Sequence, residues 1–400
     1  MPIFNSLGSN YDFPFVVKSL FATNSYEKKK RLEKFLGEKY GGKVFLVFKG
    51  REAIELGLRS LKLPLGSEVA VNGFTCYAVY EAIKAAGLEP IYLDISGNDL
   101  HFSPEELEKT LNSRKEVRVV IVQNTLGYPC DIEGIKNICK KHNLILMEDL
   151  AHSVGSVYEN AKEAGTVGDL VVLSFSQDKM VDGITGGALV VRNRKAVILK
   201  ILLGARKAPD EFKYKLYPFL TILIRSLYVF GIGKALHAFL KGFNLLPDPV
   251  KTHDRDIHKL PEWYCGLIFE RFRNLKQNIR HRRKIAKIYV NNLNKNVVFP
   301  FSKRGVMKSS NNRFPIFVDK RDNLIRYLKS RGIYVSDIWY DAPISPQRLL
   351  MNTNYKVGSC PKSEKISQAI LNLSTHINVS EKRALNICDE INTWLKLPQD

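Results

Sequence analysis

A carboxylate and a lysine near the middle of the chain set the chemistry to be expected. The pair Glu148-Asp149 closes an apolar run, Leu144-Ile-Leu-Met147, and is followed by the small and polar segment Leu150-Ala-His152-Ser-Val-Gly155. A second apolar run, Asp169-Leu-Val-Val-Leu-Ser174-Phe175, leads into a short loop carrying Lys179, and Gly186-Gly187 opens a third. Two such runs in one sheet bring the acid and the amine to the same edge. That pair suits pyridoxal phosphate: the amine takes the aldehyde covalently, and the carboxylate keeps the pyridine nitrogen protonated so that the ring draws electrons.

The elements that must position these groups alternate. Val44–Phe48, Glu68–Val71, Pro90–Leu93, Val117–Val122 and Leu144–Met147 read as strands, with helical spacing over Ala53–Leu61 and Asp131–His142 between them. Ser103-Pro104-Glu105-Glu106 places an N-cap, a first-turn proline and a third-position glutamate, a helix start. This alternation predicts a three-layer α/β fold with a mainly parallel sheet, whose ligands bind beyond the carboxyl ends of the strands. Lys49–Glu52, Gly73–Tyr77, Asn124–Gly127, Asp149–His152 and Ser174–Lys179 all fall at that edge. After Val191 the alternation stops, and the expected division is a large domain over 1–207, an apolar insertion over 208–255 and a smaller α+β domain over 256–400. In the last, Leu260–Val290 reads as one long basic helix, Arg313–Val318 and Tyr334–Ile338 as strands, and Arg321–Arg331 and Glu381–Lys396 as helices.

The 400 residues carry a net charge of +21 and a pI near 9.6, a balance that favours anionic partners. No aromatic-interleaved basic motif or zinc pattern points to nucleic acid, so the expected anion is a phosphorylated substrate or an acidic membrane surface. The clusters Lys28–Arg31 and Arg280–Lys284 read as solvated helix faces. Six scattered cysteines without a CxxC fit reduced thiols, and the N-terminus lacks a signal-peptide pattern, so a cytoplasmic protein is expected. The segment Tyr214–Phe243 is apolar but interrupted by Pro218 and Arg225. Two readings are open for it: peripheral contact of 213–243 with a membrane, or packing on the protein's own surface or in a dimer interface.

Taken together, Glu148-Asp149-Leu-Ala-His152, Gly168-Asp169 through Ser174-Phe175, and Lys179 before Gly186-Gly187-Ala resemble the DegT/DnrJ/EryC1/StrS family of sugar aminotransferases, pyridoxal phosphate enzymes of the aspartate aminotransferase fold. Gly50-Arg-Glu-Ala-Ile, Glu68–Thr75, Gly127-Tyr-Pro-Cys-Asp131 and Leu371–His376 extend the resemblance to nearly the whole chain outside the insertion. The resemblance implies that Lys179 holds the cofactor and shuttles a proton, and that Asp149, the second acid of the pair, meets the ring nitrogen. It puts His152 beside the cofactor, with a core histidine as the rival reading. Ser174 and the backbone N–H groups of Gly50, Arg51 and Glu52 fall at the phosphate; the Arg51 side chain either adds charge there or lies on a helix surface. The family's ring-stacking aromatic falls on Cys76 with Tyr77 beside it, and both stay open. Lys259 stands where relatives place an arginine that reaches the partner's phosphate, and His376 falls on the substrate side or in the small-domain core. The activity implied is a two-step transamination from an amino donor, glutamate, to a nucleotide-linked keto sugar, by a homodimer. Its rivals are a different pyridoxal phosphate reaction, such as a lyase, or a catalytically idle regulator. Retention of Lys179 and Asp149 favours transamination.

Overall fold

The computed structural model describes residues 2–97, 99–192, 204, 208–248 and 256–398. Seven strands form its central sheet: β1 Lys43–Val47, β2 Glu68–Asn72, β3 Glu89–Leu93, β4 Val117–Gln123, β5 Ile145–Asp149, β6 Leu170–Ser174 and β7 Gly187–Val191. Their order is β1-β7-β6-β5-β4-β2-β3. Every neighbouring pair is parallel except those made by β7, which runs antiparallel to both β1 and β6. The mainly parallel sheet predicted from the alternation is therefore present. Each strand falls within a residue or two of its expected span.

The sheet is buried on both faces because alternate side chains feed two different cores. Leu146, Val120, Val122, Val171, Leu173, Ala188 and Val190 join one hydrophobic cluster, while Met147, Val119, Ile121, Leu170, Val172, Leu189 and Val191 join the other. A period of two with apolar residues in both phases is what a doubly covered strand requires. All five residues of β6 are buried accordingly.

A third cluster, built from Ile285, Tyr289, Phe314, Ile316, Leu371, Leu373 and Ile387, forms the core at the other end of the chain around the antiparallel pair Phe314–Phe317 and Ile370–Leu373. The first strand, Ile3–Phe4, pairs in parallel with Ile333–Tyr334 and adds Ile3 to this core. The expected strand Tyr334–Ile338 shortens to that two-residue pairing. The single long helix expected over Leu260–Val290 is two helices, Trp263–Arg273 and Leu275–Asn292, divided at Asn274. The packing changes along the second helix, whose Leu275 and Ile279 still join the sheet's core. Trp263, Tyr264 and Phe272 pack into the sheet's core, whereas Ile285, Ala286 and Tyr289 pack into the C-terminal one.

The basic cluster at 280–284 is likewise not simply a solvated face. Arg282 is buried, with Nη1 donating to the Asn312 carbonyl and Thr375 Oγ1, both at 2.9 Å. The apolar segment forms helices Ala208–Leu227 and Ile232–Gly242, which bury Tyr214, Tyr217, Ile224 and Leu240 against the rest of the chain.

Candidate active site

The carboxyl ends of the parallel strands bring the expected residues together. Asp149 ends β5, Ser174 ends β6 beside Gly187, and Gly50 opens helix Gly50–Ser60 just past β1. Lys179 lies in the loop after β6, and a second carboxylate fixes that loop. Asp182 is buried; it accepts from the backbone N–H of Asp178 (2.8 Å) and Ile184 (3.0 Å) and from the Tyr11 hydroxyl (2.8 Å). Asn10 donates to the Lys179 carbonyl (3.3 Å) and to Asp182 (3.2 Å). With these bonds the loop is tied to the N-terminal segment, and Asp178 is held at a φ of 63°. Burial, only partly offset by Arg313, pushes the Asp178 carboxyl up to about 7.

The Lys179 amine sits 2.9 Å from His152 Nε2. At the other side of that ring, Nδ1 faces the Leu126 N–H (3.3 Å) and the Tyr340 hydroxyl (3.0 Å). A backbone N–H can only donate, so Nδ1 accepts and the proton of the neutral ring lies on Nε2. That N–H meets Lys179 Nζ and favours an amine with its lone pair free. The titration shifts agree. Burial lowers the Lys179 amine below its ordinary range, with Cys76 and Asp149 partly opposing it, and burial with Lys179 nearby holds His152 well below its usual value. The direction of donation continues outward: Thr75 Oγ1 donates to Gln123 Oε1 (2.6 Å), Gln123 Nε2 to the Tyr340 oxygen (2.6 Å), and Tyr340 to His152.

Asp149 is buried and accepts one bond, from the Ala151 N–H at 2.9 Å. Burial raises its carboxyl; Ala151 and Lys179 pull the other way. Its neighbour Glu148 points to the opposite side and is fully engaged there, by Tyr158, Gly165, Val167, Gly168 and Arg192. Cys76 is half-buried and pairs with Ser345 in the short parallel strand pair Thr75–Cys76 and Ile344–Ser345. Tyr77 instead packs against Tyr80, with ring centroids 5.5 Å apart.

Trp339 supplies the aromatic ring beside the lysine. Its centroid is 4.5 Å from Lys179 Nζ, its face stacks on His152 at 4.8 Å, and the Arg313 guanidinium lies 3.8 Å from the ring. Sequence reasoning missed Trp339, Tyr340, Gln123, Arg313 and Asn10. The only available signal was the unusual Trp339-Tyr340 string, because these residues come from segments far apart in the chain.

Where the phosphate is expected, a Cβ on Gly50 would lie 2.8 Å from Ser174 Cβ and 3.0 Å from its Oγ. Only glycine lets the helix N-terminus approach this closely, which is the usual way to cradle an anion. Arg51 directs its guanidinium at Glu81 of helix Tyr77–Ala85. The Glu52 side chain accepts from the N–H of Phe48 (3.0 Å) and His258 (3.2 Å), tying β1 to the segment before helix Trp263–Arg273. His376 follows strand Ile370–Leu373 in the chain. It is buried and hydrogen-bonds the Phe4 carbonyl at 2.9 Å under the first strand. Lys259 bridges to Val47 across the edge of the sheet. A buried amine with lowered basicity, a buried carboxylate, a neutral imidazole and a glycine-lined helix start are the partners that the aldehyde, ring nitrogen and phosphate of pyridoxal phosphate require, so the residues present fit this cofactor.

The model of the DegT/DnrJ/EryC1/StrS aminotransferase family matches residues 12–206 and 257–392 and passes over the segment between them. The chain is 24% identical over 352 residues to a pleiotropic regulatory protein of Geobacillus stearothermophilus, covering 86% of this chain and 82% of the relative. It is 24% identical over 361 residues to a GDP-perosamine synthase of Escherichia coli O157:H7, covering 87% and 84%. A crystal structure of a DegT DnrJ EryC1 StrS aminotransferase from Brucella abortus superposes with a TM-score of 0.72 at 21% identity, over 96% of each chain. Over the sheet, its carboxyl edge and the C-terminal core alike, this chain belongs to the DegT/DnrJ/EryC1/StrS aminotransferase family.

Proposed function

We propose that this aminotransferase passes an amino group, taken from glutamate, to a keto sugar carried on a nucleotide, making an amino sugar for polysaccharide or glycan synthesis. The observation that carries the reading is Lys179 held against a neutral His152, with Asp149 at the neighbouring strand end. Relatives named as GDP-perosamine synthase and as a dTDP-3-amino-3,6-dideoxy-galactopyranose transaminase support the nucleotide-sugar class.

When bound, pyridoxal phosphate supplies an aldehyde that captures amines and a ring that withdraws electrons. The protein does the rest. Lys179, its basicity lowered by burial and its Nζ met by the His152 N–H, takes the proton from the donor's α-carbon and returns one to the acceptor carbon in the second half of the reaction. Asp149 pairs with the protonated ring nitrogen; that partner restores to its buried carboxylate the charge stabilisation that burial removes. Gly50 and Ser174, with the N–H groups of Arg51 and Glu52, hold the phosphate at the helix start. His152 and Cys76 would lie beside the ring. The basic surface draws in a diphosphate-linked substrate.

The same reading makes the enzyme a cytoplasmic homodimer, supported by six free cysteines and by Lys259, which lies on the segment that the resemblance assigns to intersubunit phosphate contact. The relative named a pleiotropic regulatory protein supports a second reading, a regulator on the same fold. One experiment separates the two. Cofactor-loaded protein mixed with glutamate should lose its visible absorbance band and regain it with a nucleotide keto sugar, and Lys179→Ala should lack the band from the start. A loaded wild-type protein whose spectrum matches that of the Lys179→Ala variant would refute the catalytic reading.

A further inference from the structure

The two helices that the family match passes over are half-buried, and their inner and outer faces differ in kind. Inward, Tyr214 meets Phe48 edge-on at 5.2 Å and Tyr217 meets Tyr11 at 6.0 Å. Outward, Phe212 and Phe219 are exposed seven residues apart on helix Ala208–Leu227. Ile232, Phe239 and Phe243 are exposed at spacings of seven and four along helix Ile232–Gly242 and its cap. Such spacings put each set on one stripe of its helix. The turn between the helices adds Val229 and Phe230, the latter 75% exposed. Helix Phe13–Leu20, which packs beside Ala208–Leu227, exposes Phe13, Val17 and Phe21 at four-residue intervals. Among the described residues nothing covers these side chains.

Charge decides what covers them. Between residues 212 and 247 the chain has no aspartate or glutamate; Arg225 is buried, and Lys213, Lys215, Lys234 and Lys241 carry the charge. Lys234 and Lys241 are exposed on the side of their helix opposite the apolar stripe. A second copy of this chain would bring the same cations to the same place, so like charges oppose self-association through this face. No helix of the described residues is long and apolar enough to cross a membrane, which leaves a hairpin lying in the interface plane. Exposed phenylalanines on a hairpin whose exposed charges are all lysines, in a chain of net charge +21, match an anionic bilayer in both its apolar and its charged layers.

We propose that this face docks the enzyme on an anionic lipid surface. Docking there sets the active site close to the bilayer. Tyr11, which packs on Tyr217, also donates to Asp182, the residue that fixes the Lys179 loop.

The test is cosedimentation of the holoenzyme with vesicles of equal parts phosphatidylglycerol and phosphatidylcholine, and with phosphatidylcholine alone. Binding is expected to the first, to weaken at high salt, and to be absent from the second. The double variant Phe230→Ser, Phe239→Ser should bind roughly a hundredfold more weakly, about tenfold for each phenylalanine withdrawn from apolar burial. Its cofactor spectrum and subunit number by light scattering should be unchanged. Failure of the wild type to bind, equal binding to both vesicle types, or equal binding by the variant overturns the proposal. So does a fall in the variant's subunit number, which would make the face a contact between copies.

Discussion

Two adjacent carboxylates, Glu148 and Asp149, should respond to amidation in opposite ways. Glu148 is fully buried; one oxygen accepts from Tyr158 (2.9 Å) and Gly165 (2.7 Å), and the other from Val167 (2.7 Å), Gly168 and Arg192 (3.2 Å). In Glu148→Gln one oxygen becomes an NH2 group. Its cheaper orientation points that group at Gly165, leaving one buried backbone N–H without an acceptor, at about 1–3 kcal/mol. Loss of the negative charge facing Arg192 and four other donors adds about 1–2 kcal/mol more. For a cooperative unit of about 200 residues, roughly 3 kcal/mol lowers Tm by about 10 °C. Asp149 keeps only the Ala151 bond, which an amide oxygen can still accept. Asp149→Asn should therefore melt within about 2 °C of wild type, since the cost of burying its charge goes with the charge. It should nevertheless lose about a hundredfold to a thousandfold in kcat, because the ring nitrogen's charge is left unpaired. Differential scanning fluorimetry of both variants, with single-turnover transamination on the survivors, makes the comparison. A large fall in Tm for Asp149→Asn with activity retained, or an inactive but fully stable Glu148→Gln, would refute the assignment.

Gly50→Ala should leave the fold intact but push a methyl against Ser174, weakening cofactor binding by about tenfold or more, measured by spectroscopic titration of the apoprotein. A dissociation constant equal to wild type would place the phosphate elsewhere. Acid stability should depend on His376, whose buried ring, with Arg282 nearby, titrates at about 3 rather than near 6.5. The unfolded chain binds that proton first, so stability falls as pH drops below 6.5 and levels off below 3, by several kcal/mol at most on an order-of-magnitude estimate. His376→Gln keeps a donor for the Phe4 carbonyl without titrating, and its Tm should be flatter across that window; parallel curves would assign the acid loss to other groups.

Much of the scaffold was legible along the chain because each strand of the sheet is buried on both sides and carries unbroken apolar runs, bounded by capped helices such as the one after Ser103. Its side chain does accept from the Glu106 N–H. The reading failed where one periodic pattern served two cores. Trp263–Asn292 looks continuous, but it breaks at Asn274, and its packing passes from the sheet's core, which still takes Leu275 and Ile279, to the C-terminal core from Ile285 on. It failed also for Arg282, whose cluster looks solvated until Asn312 and Thr375 arrive from elsewhere to meet its guanidinium.

By itself the sequence determined the order of the elements and the local constellation of Asp149, His152, Ser174 and Lys179. Strand ends, glycine turns and acid–amine spacing are local properties, and they survive without knowledge of the fold. Tertiary structure alone decided what surrounds the amine. It turned Glu148 away from the site and delivered Trp339 and Tyr340 from about 160 residues away. Those contacts depend on how the C-terminal core seats against the sheet edge, and a one-dimensional pattern carries no term for a distance between segments that meet only in the folded chain.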